Sequence, residues 1–408
     1  MNTWITLLIV VVTYLGISLG EFPRLRVNRT TITLVGVGAL LLTGQIAYEH
    51  MGDFLDLNTL ILLFGMMILN ANLQLAGFFR LAGRSILRVT HTPRGLLALL
   101  ILVTGVLSAL FLNDTICLML TPLVLDLTLS ARRNPLPYLI ALATAANVGS
   151  VATLTGNPQN MIIGIASGIS YVDFALALTP VALLGMGGIW LVIVWFYPQE
   201  FRAERFDLPD LPAPFVYRPL LTKSMFVTGG LLVAFILGVP IAEAAFIAAC
   251  VLLLTRRIRP EKVMNEIDWN LLVFFAALFI VSGAMETSGI TTALFEAVSR
   301  SLDGSPLTLS LITVGLSNLV SNVPAVLLLK PVIPGLVNPQ AGWLTLAATS
   351  TLAGNLTLLG SVANLIVAEV ASRRGVKLTF WEYTKPGFVI TVISLALGVA
   401  WIHLFLWT

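Results

Sequence analysis

Charge is scarce in this chain. Charged residues make up 11% of its 408 positions, whereas a water-soluble domain carries roughly 25%. So little charge cannot coat a water-facing surface, which excludes an ordinary soluble domain. Cysteine is nearly absent. Cys117 and Cys250 both lie in apolar segments, and they form neither a disulfide framework nor a metal-ligand spacing. The histidines, His50, His91 and His403, are scattered at segment ends. No phosphate-binding loop, hydrolase motif or redox motif occurs. The net charge of +3 is too small to speak for nucleic acid. No enzyme activity, cofactor or nucleic-acid partner is expected. Any work must draw on an ion gradient or on a separate ATPase subunit.

What is present is apolar sequence, 57% of the chain. It comes in runs of about 18 residues or longer, the length that spans a bilayer as a helix. The first run, Met1 to Gly20, lacks a basic flank and a small-residue cleavage site. It therefore reads as a retained helix rather than a signal peptide. Basic residues cluster between runs: Arg24, Arg26 and Arg29; Arg80, Arg84, Arg88 and Arg94; Arg132 and Arg133; Arg202, Arg205, Arg218 and Lys223; Arg256, Arg257, Arg259 and Lys262; Arg373, Arg374 and Lys377. The positive-inside rule puts these in the cytoplasm. The acidic stretches Glu49 to Asp56 and Glu286 to Asp303 then fall outside, as do both termini, in an inner (plasma) membrane. Charge leaves one segment undecided. Residues 95–130 are either two full spans with Asn113-Asp114 in an outside loop, or a re-entrant hairpin with Asn113-Asp114 at a buried tip.

The two halves resemble each other. Asp56-Leu57-Asn58 and Asp268-Trp269-Asn270 both open apolar runs, and Gly77 and Gly289 keep the same offset. Asn113 and Pro122 match Asn322 and Pro331. Thr153-Leu154, Gly156 and Asn160 match Thr357-Leu358, Gly360 and Asn364. The loop after the first block is basic and its partner acidic, so equivalent loops lie on opposite sides and the repeats are inverted. The expected fold is an all-α polytopic membrane protein with about 10 full spans and two hairpins. Residues 1–56 form scaffold helices. Repeat 1 covers 57–200, with a hairpin at 95–131 and a broken helix at 136–165. Residues 201–223 are a cytoplasmic linker and 224–262 are linking scaffold helices. Repeat 2 covers 263–408, with a hairpin at 307–337 and a broken helix at 341–370.

Four polar interruptions break the apolar runs, and they mark the candidate site. The first is Asn113-Asp114-Thr115. The second holds Asn147, Ser150, Thr153, Gly156, Asn157 and Asn160. The third holds Ser317, Asn318, Ser321 and Asn322. The fourth holds Thr351, Asn355, Thr357, Gly360, Ser361 and Asn364. Lipid supplies no hydrogen-bond partners, so non-helical backbone at depth must face protein or a water-filled cavity. Half-helix N-termini suit an anionic group. Unwound carbonyls and side-chain oxygens suit a cation such as sodium at the hairpin tips. These features favour the re-entrant arrangement. Asp114 is the acid nearest the expected membrane centre, where a carboxylate is costly and functional by default. Burial disfavours its charged form, which makes it the candidate proton carrier. The structural alternative is that Asn113 or Asp114 caps the second hairpin arm. Lys330 falls within the second arm of the other hairpin, where it either attracts an anion or snorkels. Cys117, one turn beyond Asp114, reads as a small buried hydrophobe.

These residues carry a resemblance. Asn113-Asp114-Thr115 with Leu120-Thr121-Pro122 is similar to the Asn-Asp…Leu-Thr-Pro signature of the ArsB-type arsenite permeases. Ser321-Asn322-Val323-Pro324 and Gly360-Ser361 resemble two further segments of theirs. Gly156-Asn157-Pro158-Gln159-Asn160 is closer to the YbiR-type anion permeases. Both belong to the ion transporter superfamily, and the resemblance covers essentially the whole chain. It implies an elevator-type transporter, commonly a homodimer, with the hairpins and broken helices as the moving part. The superfamily's symporters carry Ser-Asn-Thr at both tips, a pattern from which Asn113-Asp114-Thr115 and Ser321-Asn322-Val323 depart. Asn355 stands where the arsenite permeases typically have an acid. The leading functional expectation is proton-coupled efflux of a small oxyacid such as arsenite or antimonite. Arsenite is neutral at pH 7, and no arginine is expected near the site. Sodium-driven carboxylate transport and sodium/proton antiport are the alternatives.

Overall fold

The computed structural model describes residues 2–19, 27–87, 92–202, 215–255, 258–293 and 305–406, with backbone alone at 18–19 and 84–87. Arg24, Arg26, Arg88, His91, Arg205, Arg256, Arg257 and Asp303, most of the expected 201–223 linker, and the Arg84 side chain lie outside the described residues. The described chain is helical throughout and contains no strand.

Helices α1 (Thr3–Leu19) and α2 (Arg29–Leu42) lead into a 3-10 turn, Tyr48–Phe54. Then come α3 (Leu57–Ala76), α4 (Phe78–Leu87), α5 (Pro93–Leu110), α6 (Asn113–Ser130), α7 (Pro135–Ser150), α8 (Pro158–Ser167), α9 (Tyr171–Phe196) and the short α10 (Pro198–Phe201). A middle group holds α11 (Arg218–Ile236), α12 (Ile241–Leu253) and α13 (Pro260–Met264). The last group is α14 (Trp269–Thr287), α15 (Pro306–Val320), α16 (Asn322–Leu329), α17 (Pro339–Ala353), α18 (Val362–Arg373) and α19 (Phe380–Phe405). Among the described residues six helices are long and apolar enough to cross a membrane: α3, α5, α9, α11, α14 and α19. Leu8, Leu15, Phe226, Ile236, Ile247 and Leu254 stand exposed, as lipid-facing side chains would.

Local sequence sets the helix starts. Thr92-Pro93, Asn134-Pro135, Asn157-Pro158, Ser305-Pro306 and Asn338-Pro339 each place a capping oxygen before a proline at the first helical position. The cap accepts a free backbone N–H, and proline lacks one that would be orphaned anyway. Asp56 caps α3 through Thr59 N, and Asp268 caps α14 through Leu271 N, with the same backbone conformation (φ −79°, ψ 85° and φ −79°, ψ 83°).

The core is formed by two helices that are buried on every side and carry no charged residue. Residues 137–150 of α7 and 341–353 of α17 are all buried, as helices without a charged face can be, and their few polar side chains are buried with them. α5, α6 and α9 pack on α7, while α15, α16 and α19 pack on α17. Neither central helix continues straight. α7 stops at Ser150 and α8 starts at Pro158; α17 stops at Ala353 and α18 starts at Val362. Beside them stand two tightly joined pairs. α5 and α6 are joined by Phe111-Leu112, and α15 and α16 by Ser321 alone. The second arm of the latter pair stops short of residue 337, where the expected 307–337 hairpin ends. α16 ends at Leu329 with Lys330 at its C-cap, itself still in helical conformation (φ −46°, ψ −47°); Pro331 after it supplies no N–H to carry the ladder on.

Candidate transport site

The two breaks meet at Asn147. Its Nδ2 donates to Asn355 Oδ1 at 2.8 Å and to Asn364 Oδ1 at 3.0 Å. Its Oδ1 accepts from Asn113 Nδ2 at 3.0 Å and from Ser361 Oγ at 3.0 Å. A carboxamide has two donors and two acceptor positions, so this fully buried side chain is saturated. It joins α7, the α6 start and the second break. Thr351 on α17 does the reciprocal job, as its Oγ1 accepts from Asn157 Nδ2 and Gln159 Nε2, both at 3.2 Å. Asn147 and Thr351 are 204 positions apart, and so are their partners Asn157 and Ser361.

Within each break, short loops are held by side-chain amides. Asn157 caps α8 through Asn160 N at 2.9 Å, and Ser150 Oγ accepts from Asn157 Nδ2 at 2.9 Å. Asn160 Nδ2 donates to Ser150 O at 3.0 Å and Thr153 O at 2.9 Å. Asn364 Nδ2 donates to Gly354 O at 2.8 Å and Thr357 O at 3.1 Å. Asn355 Nδ2 donates to Thr144 O at 3.3 Å. Gly156 allows a close backbone approach, since a Cβ there would lie 2.4 Å from Ser150 O, and one at Gly360 would lie 2.9 Å from Gly354 O.

The tips of the helix pairs are fastened to these loops. Asn113 N donates to Gly156 O at 3.1 Å, and Thr153 Oγ1 donates to Ala109 O. Leu112 occupies the N-cap of α6 without a side-chain bond. Asn113 and Asp114 therefore lie inside the first turn of α6 rather than capping it. Asn318 Nδ2 donates to Ala353 O at 3.1 Å. Ser321 has φ +78° and ψ 160°, a region that is otherwise glycine's.

A cavity of about 770 Å³ opens beside both tips. Of the residues singled out in the sequence, Asn113, Asp114, Ser321, Asn322 and Ser361 line it. Asn147, Ser150, Thr153, Gly156, Asn157, Asn160, Thr351, Asn355, Thr357, Gly360 and Asn364 instead build the loops behind the wall. Thr115 turns away, accepting from Asn70 Nδ2 at 3.5 Å. Ser317 Oγ, Asn318 Oδ1 and Asn322 Oδ1 are buried without a hydrogen-bond partner among the described residues. Asn28, Arg29, Thr30, Gln159, Asp268 and Asn270 also line the cavity. Arg29 corrects the expectation that no arginine lies near the site. α2 packs along α14, which carries the α2 start to the cavity wall. Gln159 was legible, adjoining Asn157 and Asn160; nothing local in the sequence marked Arg29 or Asp268. Cys117 is fully buried and does not line the cavity. Lys330 faces a separate cavity of about 320 Å³ with Asp53, Asp56 and Glu286.

Comparison with known proteins agrees with this architecture. Residues 14–353 match the model of a family described as citrate transporter. The chain is 32% identical to the silicon efflux transporter LSI3 of Oryza sativa subsp. japonica, over 92% of this chain and 93% of that protein. It is 23% identical to the putative transporter arsB of Dictyostelium discoideum, over 92% and 87% respectively. The crystal structure of the YdaH transporter of Alcanivorax borkumensis superposes with a TM-score of 0.63 at 17% identity, covering 98% of this chain and 97% of the other.

Proposed function

The chain belongs to the citrate transporter family within the ion transporter superfamily and is a multi-pass secondary transporter, not an enzyme; from that premise we propose that it exports a small neutral oxyacid in exchange for protons. Arsenite or antimonite is the leading candidate, and Asp114 carries the proton. The observation that supports this is the charge of the cavity. Asp114 and Asp268 line it against one arginine among the described residues, Arg29, with amides and hydroxyls between them, and the lining Glu369 is paired with Arg373. Such a wall repels a di- or tricarboxylate, whereas hydroxyl groups on a neutral acid can donate to the carboxylates and accept from the amides. The names of the silicon efflux and arsB relatives are consistent with a small oxyacid. On this reading the protein sits in the inner (plasma) membrane with both termini outside. The helix pairs and broken helices move as an elevator unit against α1, α2, α11, α12 and α14.

The test is transport in proteoliposomes of arsenite, silicic acid, citrate and succinate under imposed proton or sodium gradients. Arsenite or silicic acid flux that follows the proton gradient, and loses that drive in D114N, is the expected result. Flux indifferent to the proton gradient removes the reading. A second reading, sodium-coupled carboxylate transport or sodium/proton antiport, draws on the buried acceptors Ser317 Oγ, Asn318 Oδ1 and Asn322 Oδ1 beside the second tip. Oxygen-rich surroundings of that kind suit a hard cation. Sodium-driven citrate or succinate uptake, or sodium-for-proton exchange, would favour it.

A further inference from the structure

Arg29 is a charged group in the cavity wall that the four polar breaks do not explain. Its backbone is fixed on both sides. Asn28 caps α2 through Thr31 N at 2.9 Å, and Thr30 Oγ1 donates to Asn270 O at 3.1 Å, tying the α2 start to the α14 start. Among the described residues its guanidinium has no hydrogen bond and no ion pair, yet it lines the same cavity as Asp114 and lies within electrostatic reach of it. Asp268, at the N-cap of α14, reaches Asp114 in the same way. α18 contributes Glu369, which is paired with Arg373 at 2.6 Å. On its own helix Asp114 has the buried Cys117 nearby. Among the described residues the other helices packed on α6, namely α4, α5 and α7, bring no ionisable group to the cavity.

We propose that Arg29 is a positioning residue for proton coupling: a cation fixed to the α2–α14 wall that stabilises the carboxylate form of Asp114 while Asp114 faces this cavity. This rests on the reading of Asp114 as the proton carrier. When the unit bearing α6 moves, Arg29 stays with α2. Away from the guanidinium, Asp114 takes a proton from the opposite solution. On its return the O–H bond breaks, the proton passes to cavity water, and the remaining negative charge faces Arg29. Protons are thereby released on the side where the substrate is loaded, the direction that proton-driven export needs. Asp268 opposes Arg29 and keeps the carboxylate from being held permanently.

The test is arsenite exchange in proteoliposomes at equal pH on both sides, over a pH series, for wild type, R29Q, R29K, D268N, D114N and the R29Q/D114N pair. R29Q should move the midpoint of the wild-type pH profile upward by about 1–3 units, the usual reach of an adjacent arginine on a carboxylate. R29K should stay near wild type. D268N keeps a capping side chain, so it should fold and should move the midpoint downward. The double variant should match D114N alone, because residues acting through one another are not additive. Unmoved midpoints in both R29Q and D268N overturn the proposal. So does a rise in the KM for arsenite in R29Q with an unmoved midpoint, which would put Arg29 on the substrate. If R29Q does not fold, D268N and R29K carry the test. A flat wild-type profile instead removes Asp114 as carrier, and that failure is distinguishable because it appears before any substitution at Arg29.

Discussion

Asn160 and Asn364, 204 positions apart, hold their loops identically: each Nδ2 donates to the carbonyl ten residues back and to the carbonyl seven residues back. Both side chains are completely buried. The amide takes the place of the ladder that a continuous helix would have supplied, so the backbone can open without stranding its carbonyls. Removing the amide leaves one carbonyl per loop without a donor among the described residues, Thr153 O in the first break and Gly354 O in the second, at a cost of about 1–3 kcal/mol, while Ser150 O keeps Asn157 Nδ2 at 3.4 Å and Thr357 O keeps Gly360 N at 3.0 Å. N160A and N364A should therefore both lower the thermal unfolding midpoint in detergent and both abolish transport. Full stability in either variant would show that water satisfies the loop carbonyls.

The glycines of the breaks should differ in severity. A Cβ at Gly156 meets backbone on three fronts, Ser150 O at 2.4 Å, Ser150 Cα at 2.7 Å and Ser108 O at 2.9 Å. At Gly360 the closest approach is Gly354 O at 2.9 Å, and the next is the Asn318 side chain at 3.2 Å. Backbone cannot step aside as a side chain can. G156A should lose about 1–3 kcal/mol or fail to fold, in line with overpacked cores, and G360A should sit at the low end. Equal unfolding midpoints for the two variants would contradict the close approach at Ser150.

Much of this was legible in the sequence for a local reason. Asn, Gly and Pro inside apolar runs mark where a helix stops, caps and restarts, and Asn157-Pro158 does so in the structure. Asp114 reaches the cavity wall from its place at the start of α6. What was not legible depends on packing between distant segments. Arg29 looks like an ordinary topology-setting arginine until α14 brings the α2 start to the cavity. Thr115 sits beside Asp114 in sequence, but its position in the first turn of α6 turns it toward Asn70 on α3. The saturation of Asn147 by four groups from two distant segments, the α6 start and the second break, has no sequence signature at all.

A buried ion pair near the end of α9 should matter more than an exposed one. Glu200 accepts from Arg133 Nε at 2.8 Å and from Tyr138 OH at 3.1 Å, and its carbonyl accepts from an Arg133 guanidinium nitrogen at 2.6 Å. Both side chains are largely covered, 17% and 11% exposed. Glu369 and Arg373 are also paired, at 2.6 Å, but are 66% and 75% exposed. E200Q should cost about 2 kcal/mol, the scale of hydrogen bonds to a charged group. R373Q should cost no more than about 0.5 kcal/mol, since exposed pairs contribute little. Denaturation of the two variants side by side checks the order, and a larger loss for R373Q would overturn it.

Ser321 offers a way to separate strain from chemistry at the second tip. A non-glycine residue at φ +78° and ψ 160° costs of order 1–3 kcal/mol, because its Cβ crowds the backbone, and glycine there does not pay it. S321G removes both the strain and the hydroxyl, whereas S321A removes the hydroxyl and keeps the strain. S321G should unfold at a higher temperature than wild type, and S321A close to it. Ser321 lines the cavity, so if its hydroxyl binds substrate, both variants should raise the KM for the transported acid to the same degree. If the strained joint instead holds the tip in place, S321A should transport normally and S321G should lose turnover with KM unchanged. Stability that falls in S321G would show that the surrounding contacts, not the side chain, impose this backbone, and would remove the strain argument.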